Sequence, residues 1–206
     1  MTESIGKEFW ETKHKENSRW LTGTTFDMLS QQYNFTPATF HHRSCLEIGV
    51  GRGIITQHLA GLASTLYCCD ISETALNQVK KWATLTYLSQ ELDQVPPVDI
   101  AVCHLVLVHC DDSECERILG SIKLAEQGKI FCQFSIFENL AVGIDNAQPY
   151  VKDMLSPGKN HFFRTNKQIL DIIESAGLVV ENVWTKHPGD YFGWTNQLWN
   201  YYELRK

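Results

Sequence analysis

With 206 residues, 43% of them hydrophobic, the chain can bury one sizeable core and is read as a single α/β domain spanning 1–206. A net charge of −6 provides no global positive field to gather phosphate backbones, which argues against nucleic acid as a partner. The start Met-Thr-Glu-Ser lacks the cationic and apolar parts of a secretion signal, and no apolar run nears membrane-spanning length, so a soluble cytoplasmic protein with no membrane partner is expected.

Residues 3–33 read as amphipathic helix. Phe9 and Trp10 precede a charged run, Lys13 to Glu16, that suits a solvated face, and Phe26, Leu29 and Tyr33 recur at helical intervals. Between them Arg19-Trp20-Leu21-Thr22-Gly23 reads as a loop, and 35–43, with Pro37, leads into the first strand. This makes 1–43 an N-terminal helical segment and 44–206 the core. Residues 44–48 form a short apolar run, the first strand, which breaks into Gly49-Val50-Gly51-Arg52-Gly53. Ile54, Ile55, His58 and Leu59 then follow at helical spacing until Gly61 stops them. The glycines let the backbone turn sharply and bring its N–H groups close to a ligand.

The loop reads Glu-x-Gly-x-Gly-x-Gly, with Ile54 where dinucleotide enzymes carry the third glycine of Gly-x-Gly-x-x-Gly. Glu47, at the strand end, would repel a pyrophosphate and suits a ligand bearing an ammonium or sulfonium group. In this segment the chain resembles the class I S-adenosylmethionine-dependent methyltransferases, whose first motif is an acidic residue followed by this glycine spacing. The resemblance implies a Rossmann-like three-layer fold with a seven-stranded, mostly parallel sheet of order 3-2-1-4-5-7-6 and strand 7 antiparallel. It also implies that the N-terminal segment covers the cofactor and helps build the acceptor pocket, so Trp10, Trp20 and Thr22 either line that pocket or only pack the segment.

Residues 65–70 read as a second strand ending in Asp70, followed by Ile71 and a Ser72 helix cap. Ala75, Leu76, Val79, Trp82 and Ala83 are expected on one helix face. An acid about 20 residues beyond the glycine loop is where βαβ nucleotide folds accept ribose hydroxyls. The alternative is a second cap on that helix. Residues 84–88 read as the third strand, and the turn after it, Ser89-Gln90-Glu91, stands where the resembled family reaches adenine. After Pro96 and Pro97, residues 98–103 read as the fourth strand. The segment 98–112 resembles the family's fourth motif through Asp99, Leu107 and His109. His104, at the strand's carboxyl end, is read as a cofactor or acceptor contact, and His104 or His109 as a general base. The Asn/Asp-Pro-Pro-Tyr signature of enzymes that methylate amino groups of DNA or protein glutamine is absent.

Asp111 or Asp112 is expected to cap a helix with a buried stripe of Cys115, Ile118, Leu119 and Ile122, and Gly128 to end the turn before a fifth strand at 129–135. Residues 136–164 read as a long polar connection, with Tyr150, His161, Phe162 and Arg164 available to an acceptor pocket or to loop packing. Thr165-Asn-Lys-Gln168 is a capping box opening a helix through Ile169, Leu170, Ile172, Ile173 and Ala176, closed by Gly177. Residues 178–185 read as a sixth strand. The short link at Pro188 and Gly189 returns a seventh, within 191–204, as an antiparallel hairpin, which dehydrogenases lack and the resembled family has. Of the seven cysteines, Cys45, Cys68, Cys69, Cys103 and Cys132 fall in expected strands as reduced apolar filler. No Cys-x-x-Cys or convergent His set points to a metal.

The resemblance thus implies S-adenosyl-L-methionine as cofactor, with S-adenosyl-L-homocysteine as product. Glu47, Gly49, Gly51, Asp70, Ile71, Gln90, His104 and Trp20 are the expected cofactor contacts. The acceptor is expected to be a small polar molecule such as a sugar or another metabolite, and the protein a monomer or homodimer. Two other readings make different demands. An NAD(P)-dependent reductase would bind NAD(P)H, which Glu47 and Ile54 oppose, and a silent binding module would hold S-adenosylmethionine without turnover.

Overall fold

The computed structural model describes residues 3–16, 25–137, 151–152, 160–162, 164–186 and 197–206. Trp20, Thr22, Tyr150 and the link at Pro188 and Gly189 lie outside the described residues, as does the His161 side chain. The elements in chain order are α1 (Glu3–Lys15), α2 (Phe26–Tyr33), α3 (Pro37–Phe40), β1 (Ser44–Ile48), α4 (Ile54–Ala60), β2 (Thr65–Asp70), α5 (Glu73–Val79), β3 (Leu85–Leu88) and β4 (Val98–Cys103). There follow α6 (Asp112–Ser121), β5 (Leu124–Phe137), β6 (Val151–Lys152), β7 (Asn160–His161), α7 (Asn166–Ser175), β8 (Val179–Lys186) and β9 (Gln197–Arg205). Short 3₁₀ turns occupy Ser89–Gln94 and Leu107–His109. Among the described residues no helix is long and apolar enough to cross a membrane.

Seven strands form one sheet in the order β3-β2-β1-β4-β5-β9-β8, and β6 with β7 makes a separate antiparallel pair. Counting sheet strands alone, this is the expected order 3-2-1-4-5-7-6. β9 runs antiparallel to both β5 and β8, with a register shift between Val180 and Asn182. The chain divides into two compact units, one of residues 1–102 with 121–129 and the other of residues 103–120 with 130–206.

In the first unit β1 and β2 pair in parallel and β2 pairs with β3. The start of β4 is clasped to β1: Asp99 Oδ2 accepts from the N–H and the hydroxyl of Ser44, both at 2.8 Å, while Asp99 N–H donates to Ser44 Oγ at 3.0 Å. Asp99 is therefore occupied in joining strands. α2 buries Phe26, Leu29 and Tyr33 as expected, and the segment expected only to lead into β1 contains α3, which buries Phe40. Two helix faces differ from expectation. α4 buries Thr56 and Leu59 while His58 is exposed, and α5 ends at Val79, so Trp82 and Ala83 lie beyond it.

The second unit holds α6, whose expected stripe of Cys115, Ile118, Leu119 and Ile122 is buried, and α7, which buries Ile169, Ile172 and Ile173 and leaves Leu170 exposed. Both capping expectations are met locally. Asp111 Oδ1 accepts from Glu114 N–H at 2.9 Å, and Thr165 Oγ1 accepts from Gln168 N–H at 3.2 Å. β5 is longer than the expected 129–135 and includes Gly128. A Cβ there would lie 2.7 Å from the Val98 carbonyl oxygen, so the glycine marks close backbone approach within the first unit's part of the strand.

Candidate functional site

β1 and β2 deliver two carboxylates to the same face of the sheet. The parallel register sets Glu47 level with Cys68, and Asp70 lies two residues beyond Cys68, so strand alternation turns Glu47 and Asp70 the same way on strands about 4.8 Å apart. Glu47 is 2% and Asp70 7% exposed. Neither oxygen of Glu47 closes a hydrogen bond of good geometry, although the Thr56 hydroxyl, from the first turns of α4, lies beside the carboxyl. Burial raises the Glu47 carboxyl to about 8, opposed by the adjacent Thr56 hydroxyl and reinforced by Asp70. Burial also raises Asp70, opposed by the Ser72 backbone N–H, by His14 and by the N–H groups of Gly51 and Val50. Asp70 Oδ1 accepts from Ser72 N–H at 2.9 Å and Oδ2 from Gly51 N–H at 3.4 Å. The expected alternatives for Asp70 thus meet in one side chain: it braces the start of α5 and still has acceptor capacity.

The glycine loop divides its labour. Gly49, Gly51 and Gly53 all have positive φ, at 78°, 54° and 76°. A Cβ on Gly53 would stand 2.7 Å from Val79 Cγ1 and 3.2 Å from the Trp82 ring, so its bare backbone serves helix packing. A Cβ on Gly51 would meet nothing within 4 Å, so Gly51, in contrast to Gly53, faces open space. Ile71 is half-buried between Asp70 and Ser72. In the 3₁₀ turn after β3, Glu91 Oε2 accepts from Leu88 N–H at 2.9 Å, while Gln90 is exposed.

α1 closes this part of the first unit by packing on α5. Glu11 accepts from Ser72 Oγ at 2.6 Å, from Thr74 N–H at 3.3 Å and from the Thr74 hydroxyl. Those bonds, first from Ser72 and then from Thr74, hold its carboxyl down at about 2. His14 is buried with Nδ1 unpartnered. Nothing local in the sequence marks Glu11, His14 or Thr56, because Glu11 finds its partners 61 and 63 residues away and the burial of His14 and Thr56 is set by the fold. The Ser72-x-Thr74 pair beside the expected helix cap is the local signal for Glu11's partners.

The histidines expected near an acceptor lie in the second unit. His104 is buried, its ring stacked at 17° on Tyr201 with centroids 6.4 Å apart, and burial lowers its pKa to about 3. Leu105, next to it, has φ 57°, and its N–H donates to Gln133 Oε1 at 3.3 Å. His109 is half-buried in the turn Leu107–His109. Arg164, expected as an acceptor-pocket or packing residue, is fully buried and holds that turn: its nitrogens reach Asp112 Oδ1 at 2.8 Å, Leu107 O at 3.3 Å and Cys110 O at 2.6 Å. Phe162 lies under its guanidinium, 5.4 Å from ring centroid to Cζ. Among the described residues no group of three His, Cys, Asp or Glu side chains could hold a metal ion.

Residues 45–125 match a family described as Methyltransferase domain. No protein of curated function matches the chain in sequence. Among solved structures, the DhpI-SAM-HEP complex is similar at 15% identity and TM-score 0.66, covering 98% of this chain and 97% of that one. Magnesium protoporphyrin IX methyltransferase (ChlM) from Synechocystis PCC 6803 with bound SAH is similar at 17% identity and TM-score 0.63, covering 100% of each chain. A third similar structure, an S-adenosylmethionine-dependent methyltransferase from Mesorhizobium loti, has 16% identity and TM-score 0.65 over 90% of this chain and 100% of that one. Matched segment and strand order together bear out the resemblance read from the sequence: this chain has the fold of the class I S-adenosylmethionine-dependent methyltransferases.

Proposed function

We propose that this protein transfers a methyl group from S-adenosyl-L-methionine to an oxygen or nitrogen of a small polar acceptor, such as a sugar or another metabolite. The observation that carries the reading is Glu47: a dry carboxylate with two unpartnered oxygens, on the same face as Asp70 and beside a glycine loop that leaves space at Gly51. Leaving such a group unmatched costs roughly 1–3 kcal/mol or more, which a cationic ligand offsets. Structural neighbours solved with SAM or SAH support the same cofactor.

In this reading Glu47 receives the ammonium of the methionine moiety, Asp70 accepts from ribose hydroxyls, and Gly49 and Gly51 let backbone N–H groups approach. Ile71 flanks the nucleoside, Gln90 lies beside the adenine, and Trp20 belongs to the covering segment. When bound, S-adenosylmethionine supplies a methyl already activated by its sulfonium, so the chain's work is to align the acceptor and exclude water. His104, with its pKa near 3, is neutral and a poor proton acceptor at neutral pH, which suits a contact to cofactor or acceptor by hydrogen bonding. Where the acceptor must lose a proton, His109, half-buried in its turn, is the histidine assigned to take it in this proposal. The net charge of −6 and the lack of a global basic field favour a small acceptor over nucleic acid. Neighbours whose names carry molecules as different as HEP and magnesium protoporphyrin IX share the fold, so acceptor choice resides in side chains outside the shared frame. The proposal includes a cytoplasmic location and a monomer or homodimer.

Calorimetry with S-adenosylhomocysteine, S-adenosylmethionine and NADPH tests the reading, followed by an acceptor screen detecting S-adenosylhomocysteine release. The first two should bind and NADPH should not, and Asp70→Ala should weaken binding by about tenfold or more. Binding of NADPH alone, or an Asp70→Ala variant with undiminished affinity, would overturn it. Binding without release against any acceptor would point to a silent module.

A further inference from the structure

Among the described residues of the first unit, two buried unpartnered atoms are left unused by the carboxylates and the glycine loop, Gln32 Oε1 on α2 and His14 Nδ1 on α1, and of these it is His14 whose electrostatics are felt by Asp70. Its side chain is 4% exposed, and an imidazole nitrogen left unmatched in that setting is costly. Glu11 lies one turn earlier on the same helix face and is anchored to Ser72 and Thr74 at the start of α5. Ser72 N–H in turn donates to Asp70 Oδ1, so the anchor sits two residues from the acid assigned to the ribose. The charged groups acting on His14 are Asp70 and Glu11, which raise its pKa, yet desolvation prevails over both and lowers it.

Desolvation opposes charge on the imidazole, the Asp70 carboxyl acts on it electrostatically, and no hydrogen bond joins the two. The N–H groups of Ser72, Gly51 and Val50 act on Asp70, which leaves one of its roughly four lone-pair sites for a further donor. The group that satisfies both sides is a hydroxyl, because it can donate to the carboxylate and accept from, or share a proton with, the imidazole.

We propose that His14 is a ligand-binding residue of the nucleoside site, holding with Asp70 a ribose hydroxyl of the bound molecule, and that Glu11 is the positioning residue that sets it there. This rests on the S-adenosylmethionine reading of the Asp70 site. It gives α1 a part in recognising a ribonucleoside, beyond covering it, and predicts discrimination against deoxyribose.

The test is calorimetry with S-adenosylhomocysteine, and competition by adenosine, 2′-deoxyadenosine and 3′-deoxyadenosine, on the full chain and four variants. His14→Ala should bind S-adenosylhomocysteine about tenfold more weakly and lose most of its preference for adenosine over one deoxy analogue. His14→Gln, which retains a donor and an acceptor, should recover part of both. Glu11→Ala should weaken binding, and the double variant Glu11→Ala/His14→Ala should show little loss beyond the larger single effect. If Asp70→Ala lowers affinity but His14→Ala does not, this proposal falls while the cofactor reading stands; if neither does, both fall. Tighter binding by His14→Ala would make His14 a plug and overturn the proposal. Additive losses in the double variant would remove Glu11 from it.

Discussion

A carboxylate in a dry interior without a partner is driven toward its neutral form, and Glu47 is in that position. Its folded-state value of about 8 lies above the ordinary 4.5, chiefly through burial. With the folded value raised, its contribution to stability is full below pH 4.5 and is lost as pH rises through about 8. Glu47→Gln carries no charge to desolvate, so relative to the parent the free variant should gain in Tm as pH rises from 4.5 to 8, which a thermal series across that window measures. The same variant should bind S-adenosylhomocysteine more weakly. Parent protein should release a proton on binding below about pH 8, read by calorimetry in buffers of different ionisation enthalpy. At this scale the two carboxylates were legible because acid type and spacing survive in one dimension. Thr56, His14 and Glu11 were not, since nothing local distinguishes a helix residue that meets a distant strand tip from one that meets solvent.

Among the elements, the glycine loop carries two different demands that look alike in the sequence. Gly53→Ala would force a Cβ against Val79 and Trp82 as well as into a left-handed conformation, and should cost roughly 2–4 kcal/mol of stability, seen as a lower denaturation midpoint. Gly51→Ala meets no neighbour, so only the left-handed strain, about 1–2 kcal/mol, should appear in stability, with the larger effect on S-adenosylhomocysteine affinity. Equal stability losses in the two variants would contradict this division. The hold of α1 is electrostatic as well. Glu11's carboxyl is held at about 2, below the ordinary 4.5, so its stabilising effect is present above pH 4.5 and is lost as pH falls toward 2. Acid should therefore free α1 from α5 over that window, and a Glu11→Gln variant should lose that acid step in limited proteolysis near Lys13 and Lys15. Capping at Thr165 and Gln168 was readable because its partners are three residues apart. The ends of α5 and β5 were not, because Trp82 is recruited to cover Gly53 and Gly128 is accepted inside a strand by the nearness of Val98.

For the whole molecule, six of the seven cysteines are buried and Cys110 is half-buried, all of them reduced. Burial pushes Cys45 up to about 12 and raises Cys68, Cys115 and Cys132 as well. An aromatic disulfide reagent should therefore modify one thiol in the native protein, abolished by Cys110→Ser, and the other six only on unfolding. A second fast thiol would show an opening the packing does not display. The sequence by itself determined the strand–helix alternation, the glycine turn, the acid at the end of β2 and the reversed last strand, since each rests on periodicity, spacing or turn chemistry between near neighbours. Tertiary structure alone decided that Gly51 faces space while Gly53 packs on a helix, that Asp99 and Arg164 are spent on joining elements, that His104 is buried, and that Glu11 on α1 is tied to Ser72 and Thr74. Those outcomes depend on burial and on partners tens of residues away, and only the folded chain brings such groups within hydrogen-bonding range.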